Sequence, residues 1–311
     1  MKAIGLFSGG LDSVLATKLM LDQGIEVVAI TFKTPFTENS WAPKMADYLG
    51  VNIKIIETGK DYIEMVKKPR YGYGKNMNPC IACRIFMLKK AKEIMAKQYD
   101  FIFTGEVLGE RPMSQGKRQL KLIEKESGLE GLILRPLSAG LLEPTMPEKR
   151  GLVNRDRLLS IKGRSRKEQI ALAQKLGLKE YATPSSGCLL TDPNFSRRLR
   201  DAFSHGEEDV ELLKYGRHFR LPSGKKVVVG RNEEENEIIS RLLTHEDILL
   251  EVKGLPSPIA LIKSKNAEDV EIAAMICLRY SDCKGKGEVK VNGTYLRVKP
   301  MDDKKLEEMR I

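Results

Sequence analysis

Short apolar runs recur along the first two thirds of the chain, at 2–7, 26–32, 51–56, 100–104 and 131–135. The stretches between them, at 12–23, 83–98 and 114–127, space their apolar residues three and four apart. Unbroken apolar runs fit strands buried on both faces, and the longer spacing fits amphipathic helices. Strands alternating with helices predict an α/β domain built on a parallel, doubly wound sheet. Ligands of such sheets lie beyond the carboxyl ends of the strands. Ser8–Ser13, the loop after Phe32, and "TGEVLGE" after Phe103 would meet at that edge.

The pattern changes after about residue 203. "KKVVVG" (225–230), "DILLEV" (247–252) and "PIALIK" (258–263) read as strands, with helical spacing at 232–243 and 266–280. "EVKVNGTYLRV" (288–298) is a hairpin signal with Asn292-Gly293 at its turn. The expectation is an α/β domain over 1–203 and a smaller α+β domain over 204–311. Between them, 141–164 carries two prolines and two glycines and reads as an inserted loop. Ser165-Arg166-Lys167-Glu168 then has the form of a capping box ahead of Ile170, Ala173 and Leu176.

"LFSGGLDSVLA" (6–16) joins the first strand to the first helix. Serine and glycine at that junction leave successive N–H groups facing outward, which makes a cradle for an anion such as phosphate. The Walker pattern is absent, and no lysine stands where it would grip β- and γ-phosphates. Candidate contacts are Ser8, Gly9, Gly10, Asp12 and Ser13.

Charge sharpens the picture. The 311 residues carry a net charge of +11. Residues 201–311 hold 19 basic and 21 acidic side chains, so the positive excess lies in the first 200. That balance suggests a nucleic-acid partner, and a solvated, ion-rich surface would look the same. The densest basic stretch is Lys149, Arg150, Arg155, Arg157, Lys162, Arg164, Arg166 and Lys167. No apolar run approaches a membrane span, and the few residues before the glycine loop are too short for a signal peptide. A cytosolic setting without membrane contact is therefore expected, with the five cysteines as thiols or metal ligands rather than disulfides.

Cys80 and Cys83 form C-x-x-C in a loop leading into the helix at 83–98, and Cys188 sits in "TPSSGCLLTD". Three cysteines leave a zinc site one ligand short. A redox dithiol needs only Cys80 and Cys83. A [4Fe–4S] cluster held by three cysteines keeps one iron open. Ordinary buried thiols are the fourth reading. Cys277 lies in an apolar-periodic stretch and reads as core, Cys283 as an incidental surface thiol.

"SGGLDS" after the first strand resembles the signature of the PP-loop ATP pyrophosphatases, which cleave ATP between its α- and β-phosphates. That resemblance implies adenylation with pyrophosphate leaving, so no lysine on the γ-phosphate is required, and Asp12 would help hold Mg²⁺. Within the superfamily the chain is most similar to tRNA thiolation enzymes of the 4-thiouridine synthetase kind. "FTGEVLGERPMSQ" (103–115) resembles their TGE-x-LGQ…SQ segment and implies nucleotide contacts at Gly105 and Gln115, although Glu110 replaces a glutamine. "LILRPLS" (132–138), "CRIFMLKKA" (83–91) and "ATPSSGCLLTD" (182–192) resemble further segments, implying Arg84 near ATP and Cys188 as the catalytic cysteine, while Phe32, at the edge where the loops meet, is a further candidate nucleotide contact. The C-x-x-C matches the iron–sulfur branch, with Cys80, Cys83 and Cys188 as cluster ligands. The resemblance covers about 4–195, without a THUMP module ahead of the loop. "LPSGKKVVVGRNEEENEIISRLL" resembles the opening of the NFACT RNA-binding domain, implying Arg231, Asn232 and Asn236 near RNA; a turn with a capping asparagine would look alike.

The function this implies is ATP-dependent thiolation of a tRNA uridine, 4-thiouridine ahead of 2-thiouridine, with sulfide or a cysteine desulfurase as sulfur donor. A persulfide on Cys188, resolved by Cys80 or Cys83, would serve without iron. An amidating PP-loop ligase and an ATP-binding RNA-binding factor are the rival classes.

Overall fold

The structure, a computed structural model, describes residues 1–37, 40–96, 98–178, 181 and 187–311. They form two compact units, Met1–Asp192 and Pro193–Ile311.

The first unit is built on β1 (Lys2–Leu6), α1 (Leu11–Leu21), β2 (Glu26–Lys33), α2 (Trp41–Tyr48), β3 (Asn52–Glu57) and α3 (Lys60–Lys67). There follow α4 (Cys80–Met95), β4 (Phe101–Thr104), α5 (Lys117–Ser127), β5 (Ile133–Leu134), α6 (Met146–Lys149) and α7 (Lys167–Lys175). The sheet order is β3-β2-β1-β4-β5, every pairing parallel. Alternation along the strands splits the core into two layers. Ala3, Ala29, Phe101 and Phe103 face α1, α2 and α7, where Val14, Met45 and Ala173 are buried. Ile4, Ile30 and Ile102 face α4 and α5, where Ile85, Leu88 and Ile123 are buried. The expected doubly wound sheet is present. Its order reverses at β1, so the crevice between the β1 and β4 ends is the switch point.

Two local expectations are corrected. The helix expected from 83 begins at Cys80, because Pro79 is tolerated at a helix start and Ala82, Ile85 and Leu88 carry the buried face back to that first turn. The box at Ser165–Glu168 does not form: α7 starts at Lys167 behind an Arg166 N-cap, and Ser165 Oγ accepts only from Lys167 N, at 3.4 Å. A capping box lies earlier, where the Glu148 carboxylate takes Thr145 N at 2.7 Å.

The second unit comprises α8 (Pro193–Ser204), β6 (Arg217–Arg220), β7 (Lys226–Val229), α9 (Glu233–Arg241), β8 (Ile248–Val252) and β9 (Ala260–Ile262). It closes with α10 (Ala267–Arg279), β10 (Gly287–Val291), β11 (Thr294–Val298) and α11 (Asp303–Met309). Its six-stranded antiparallel sheet runs β11-β10-β8-β9-β7-β6. α10 covers it with Ala273, Ala274, Ile276 and Leu278, and Cys277 is core as expected. Asn292 and Gly293 both take positive φ at the β10–β11 turn. Where the sequence reading ends the first domain at 203, α8 sits in the second unit: its Asp201 accepts from Arg220 Nε at 3.3 Å. Among the described residues no helix is long and apolar enough to cross a membrane.

Candidate functional site

The glycine loop leaves β1 at the switch point and enters α1 through Gly10, with no side-chain cap on the helix. Gly9 has φ +74°, and a Cβ there would stand 2.6 Å from the Trp41–Ala42 backbone, so α2 begins directly against the loop. A Cβ on Gly105 would lie 2.5 Å from Ser13 N, so the end of β4 rests on the same turn. Ser13 Oγ donates to Gly10 O at 2.8 Å and stands 3.4 Å from Ser8 Oγ. The loop is thus braced by its own hydroxyls, and the uncapped start of α1 provides N–H groups and a positive dipole end for an anion.

Asp12, in the first turn of α1, has its pKa pushed up to about 6, first by burial and then by Glu110, against the pull of Arg166. Arg166 Nη2 lies 3.1 Å from Asp12 Oδ2, and its Nε lies 3.1 Å from Glu110 Oε1. Arg166 therefore stands in the site as the cation that the loop itself lacks. This corrects the expectation that it belongs to an outward basic stretch. Arg155 is also inward, pairing with Glu148 and donating to Ala139 O at 2.7 Å and Leu142 O at 2.9 Å. Arg157 donates to Asp22 O at 2.8 Å. Lys149, Arg150, Lys162, Arg164 and Lys167 are exposed. Nor is 141–164 a loose insertion. Leu159 N and Ile161 N bond Pro136 O and Leu137 O, Gly163 N bonds Leu108 O, and Val153, Leu158 and Ile161 are core.

Cys80, Cys83 and Cys188 line one cavity of about 420 Å³ together with Ser8, Gly10, Asp12, Ser13, Phe32, Arg84, Gly105 and Gln115. Cys80 and Cys83 occupy the first turn of α4. Cys188 arrives from far along the chain because its segment is laced to two others. Met77 N bonds Leu190 O, Asn76 Nδ2 donates to Thr191 O at 2.7 Å, and Leu189 N bonds Phe36 O. Cys80 Sγ donates to Asn78 Oδ1 at 2.8 Å, and Cys83 Sγ lies 3.1 Å from the buried Tyr62 hydroxyl. Burial pushes the Cys188 thiol up to about 12 and raises Cys80 and Cys83, with Arg84 and Arg111 pulling Cys80 back. Ala182, Thr183, Pro184, Ser185 and Ser186 of the "ATPSSGCLLTD" segment lie outside the described residues.

Among the described residues no three His, Cys, Asp or Glu side chains converge on a position for a single metal ion. Cys80, Cys83 and Cys188 are the thiols of this cavity that a cubane would need, each on a different iron.

Arg84 Nε lies 3.1 Å from Glu106 Oε1, and Arg135 Nε lies 3.1 Å from Glu106 Oε2. Burial alone would raise the Glu106 pKa, but the two guanidinium groups outweigh it and hold it below the usual carboxylate range. Gln115 is buried, and its Oε1 accepts from Arg111 N at 2.9 Å, which closes the turn behind the cavity. Residues that the sequence does not mark as site residues also line the wall, among them Trp41, Tyr62, Asn78 and Arg111, with Arg166 from the basic stretch. For Arg166 a signal existed: it and Gln169 are three apart, so both reach one face of α7.

In the second unit, Arg231 pairs with Glu235, Asn232 caps α9 by accepting from Glu235 N at 2.9 Å, and Asn236 Oδ1 accepts from Ile259 N at 3.3 Å. These side chains build the turn.

A parallel sheet ordered 3-2-1-4-5, with a braced glycine loop and an acidic side chain at its switch point, defines an α/β protein of the doubly wound class. Comparisons give the particulars. The family model described as thiamine biosynthesis protein (ThiI) matches residues 1–141, and that of the NFACT protein RNA binding domain matches 216–310. A curated tRNA-specific 2-thiouridylase MnmA 1 from Fusobacterium nucleatum is 32% identical over 103 residues, covering 32% of this chain and 28% of its own. A probable tRNA sulfurtransferase from Thermococcus kodakarensis is 32% identical over 144 residues, 44% of this chain and 36% of its own. A solved 4-thiouridine synthetase–RNA complex with bound ATP shares 21% identity with TM-score 0.41, over 68% of this chain and 52% of that one. The chain spans between 24% and 33% of the length of the first curated relatives. The two model matches fall on separate stretches of the chain, one in each compact unit.

Proposed function

We propose that this protein is an ATP-dependent tRNA sulfurtransferase that replaces a uridine carbonyl oxygen by sulfur, at position 4 of the base. One observation carries the reading: the phosphate loop and Cys80, Cys83 and Cys188 line the same cavity. ATP would lie with its phosphates on Ser8–Ser13 and the start of α1. Its metal, Mg²⁺, would meet Asp12, whose Oδ1 is buried in the wall without a hydrogen-bond partner among the described residues. Arg166 would pass from Asp12 to a phosphate oxygen as the metal takes its place. The uracil carbonyl oxygen attacks the α-phosphorus while the bond to the bridging oxygen of pyrophosphate breaks. The leaving pyrophosphate carries the negative charge that Arg166 and the loop N–H groups stabilise. Adenylation turns an oxygen that will not leave into AMP, which does. A sulfide nucleophile then displaces AMP, giving the thiocarbonyl.

The cysteines hold the sulfur side of the cavity. They would carry a [4Fe–4S] cluster, which supplies an open iron where sulfide binds. Arg84, held against Glu106 in the same cavity wall, would supply positive charge toward that group. The exposed lysines and arginines of the first unit and the second unit together would bind tRNA. The test is mass spectrometry of nucleosides from tRNA incubated anaerobically with the protein, MgATP and sulfide. Thiouridine that requires ATP and is lost in Cys188→Ala supports the reading. Unmodified tRNA with fully reconstituted protein refutes it.

A further inference from the structure

Behind Asp12 three buried polar atoms have no hydrogen-bond partner among the described residues: Asp12 Oδ1, Gln169 Oε1 and Gln169 Nε2. Gln169 is 0% exposed. A long polar side chain is seldom buried with both ends of its amide unpaired, because each loses its bonds to water. Its neighbour explains the placement. α7 packs on α1, and the Gln169 amide lies near enough to the Asp12 carboxylate to favour its charged form, although no hydrogen bond joins the two in this structure. Arg166, one turn earlier on the same face, holds Oδ2.

We infer that Gln169 is a positioning residue of the nucleotide site, its amide N–H turning the Asp12 carboxylate so that Oδ1 meets the metal of the bound nucleotide. This rests on the nucleotide reading above. Arg166 has a second carboxylate, Glu110, and a phosphate to move to. Gln169 has no other hydrogen-bond partner among the described residues, and so would keep the carboxylate in place after Arg166 leaves. A methionine or leucine would fill the same volume but would leave Asp12 unguided.

The probe is Mn²⁺ binding to the ATP-loaded full-length chain, followed by electron paramagnetic resonance, beside calorimetry of ATP in EDTA. Gln169→Met is expected to weaken Mn²⁺ binding about tenfold, while metal-free ATP binds within about twofold of wild type. Gln169→Glu, which keeps the shape and acceptors but loses the donor, should weaken Mn²⁺ binding at least as much. In an Asp12→Asn background the Gln169→Met change should add nothing, since the two act as one unit. Circular dichroism melting shows which variant is folded, and the conclusion is drawn from that one. Equal loss with and without metal would make Gln169 a packing residue and overturn the inference. So would unchanged Mn²⁺ binding in Gln169→Met, or wild-type binding in Gln169→Glu. If wild type binds neither ATP nor Mn²⁺, the nucleotide reading itself has failed, which these arms distinguish.

Discussion

Replacing Asp12 by asparagine should stabilise the first unit while ending its chemistry. In the unfolded chain Asp12 loses its proton near 3.8; in the folded protein it keeps it up to about 6, chiefly because it is buried. A folded-state pKa above the unfolded one means that the native state prefers the acid form. Below about pH 4 the two states are matched. As the pH rises towards 6 the folded protein must hold a charge that the unfolded chain hydrates freely. The gap of about two pH units corresponds to about 3 kcal/mol lost above pH 6.5. Asparagine removes the titration, so its advantage over wild type should grow from about 1–2 kcal/mol at pH 5 to about 3 kcal/mol at pH 7.5. Arg166 retains Glu110 in the variant, so no unpaired guanidinium offsets the gain. The assay is urea denaturation at the two pH values, followed by Trp41, the single tryptophan, which lies in α2 and therefore reports the first unit. A destabilised Asp12→Asn at pH 7.5, or an advantage that does not change with pH, would refute the reasoning.

The remaining predictions concern the cysteines and the inward arginines. Anaerobically reconstituted protein should bind about four irons per chain if the cubane is correct. Alanine at Cys80, Cys83 or Cys188 should lower the iron content by elemental analysis, whereas Cys283→Ala should leave it unchanged. Cys277→Ala should keep the iron and cost about 1 kcal/mol in urea denaturation, since the site is core. Arg155→Ala should destabilise the first unit by about 1–3 kcal/mol, because Glu148 and the Ala139 and Leu142 carbonyls lose a donor. The salt slope of tRNA binding should not change in Arg155→Ala. A slope lower by about 0.7–0.9 would show that Arg155 meets phosphate after all.

The sheet was legible in the sequence because its strands are short unbroken apolar runs between periodic helices. α2 and α3 were not, since each is eight residues long and α2 carries Pro43. Strand β6 was hidden by its composition: Arg217, His218, Phe219 and Arg220 do not read as a strand until α8 and β7 supply partners. The glycine loop and the three cysteines could be named from spacing and resemblance, and Ser8, Gly10, Asp12, Ser13, Cys80, Cys83 and Cys188 line one cavity, though Gly9 does not. What spacing could not give was direction. Arg155 and Arg166 belong to one basic run in the sequence, yet the fold turns one onto Glu148 and the other onto Asp12. Gln169 was invisible for the same reason, because a glutamine on a helix signals nothing until its burial is known.

The central claim is that this cavity activates a uridine by adenylation. Its most direct measurement is the fate of radiolabelled ATP incubated with the protein, Mg²⁺ and unmodified tRNA. The account predicts AMP and pyrophosphate, formed only when tRNA is present and in step with thiouridine. ADP and phosphate as the products, or turnover indifferent to tRNA, would contradict it.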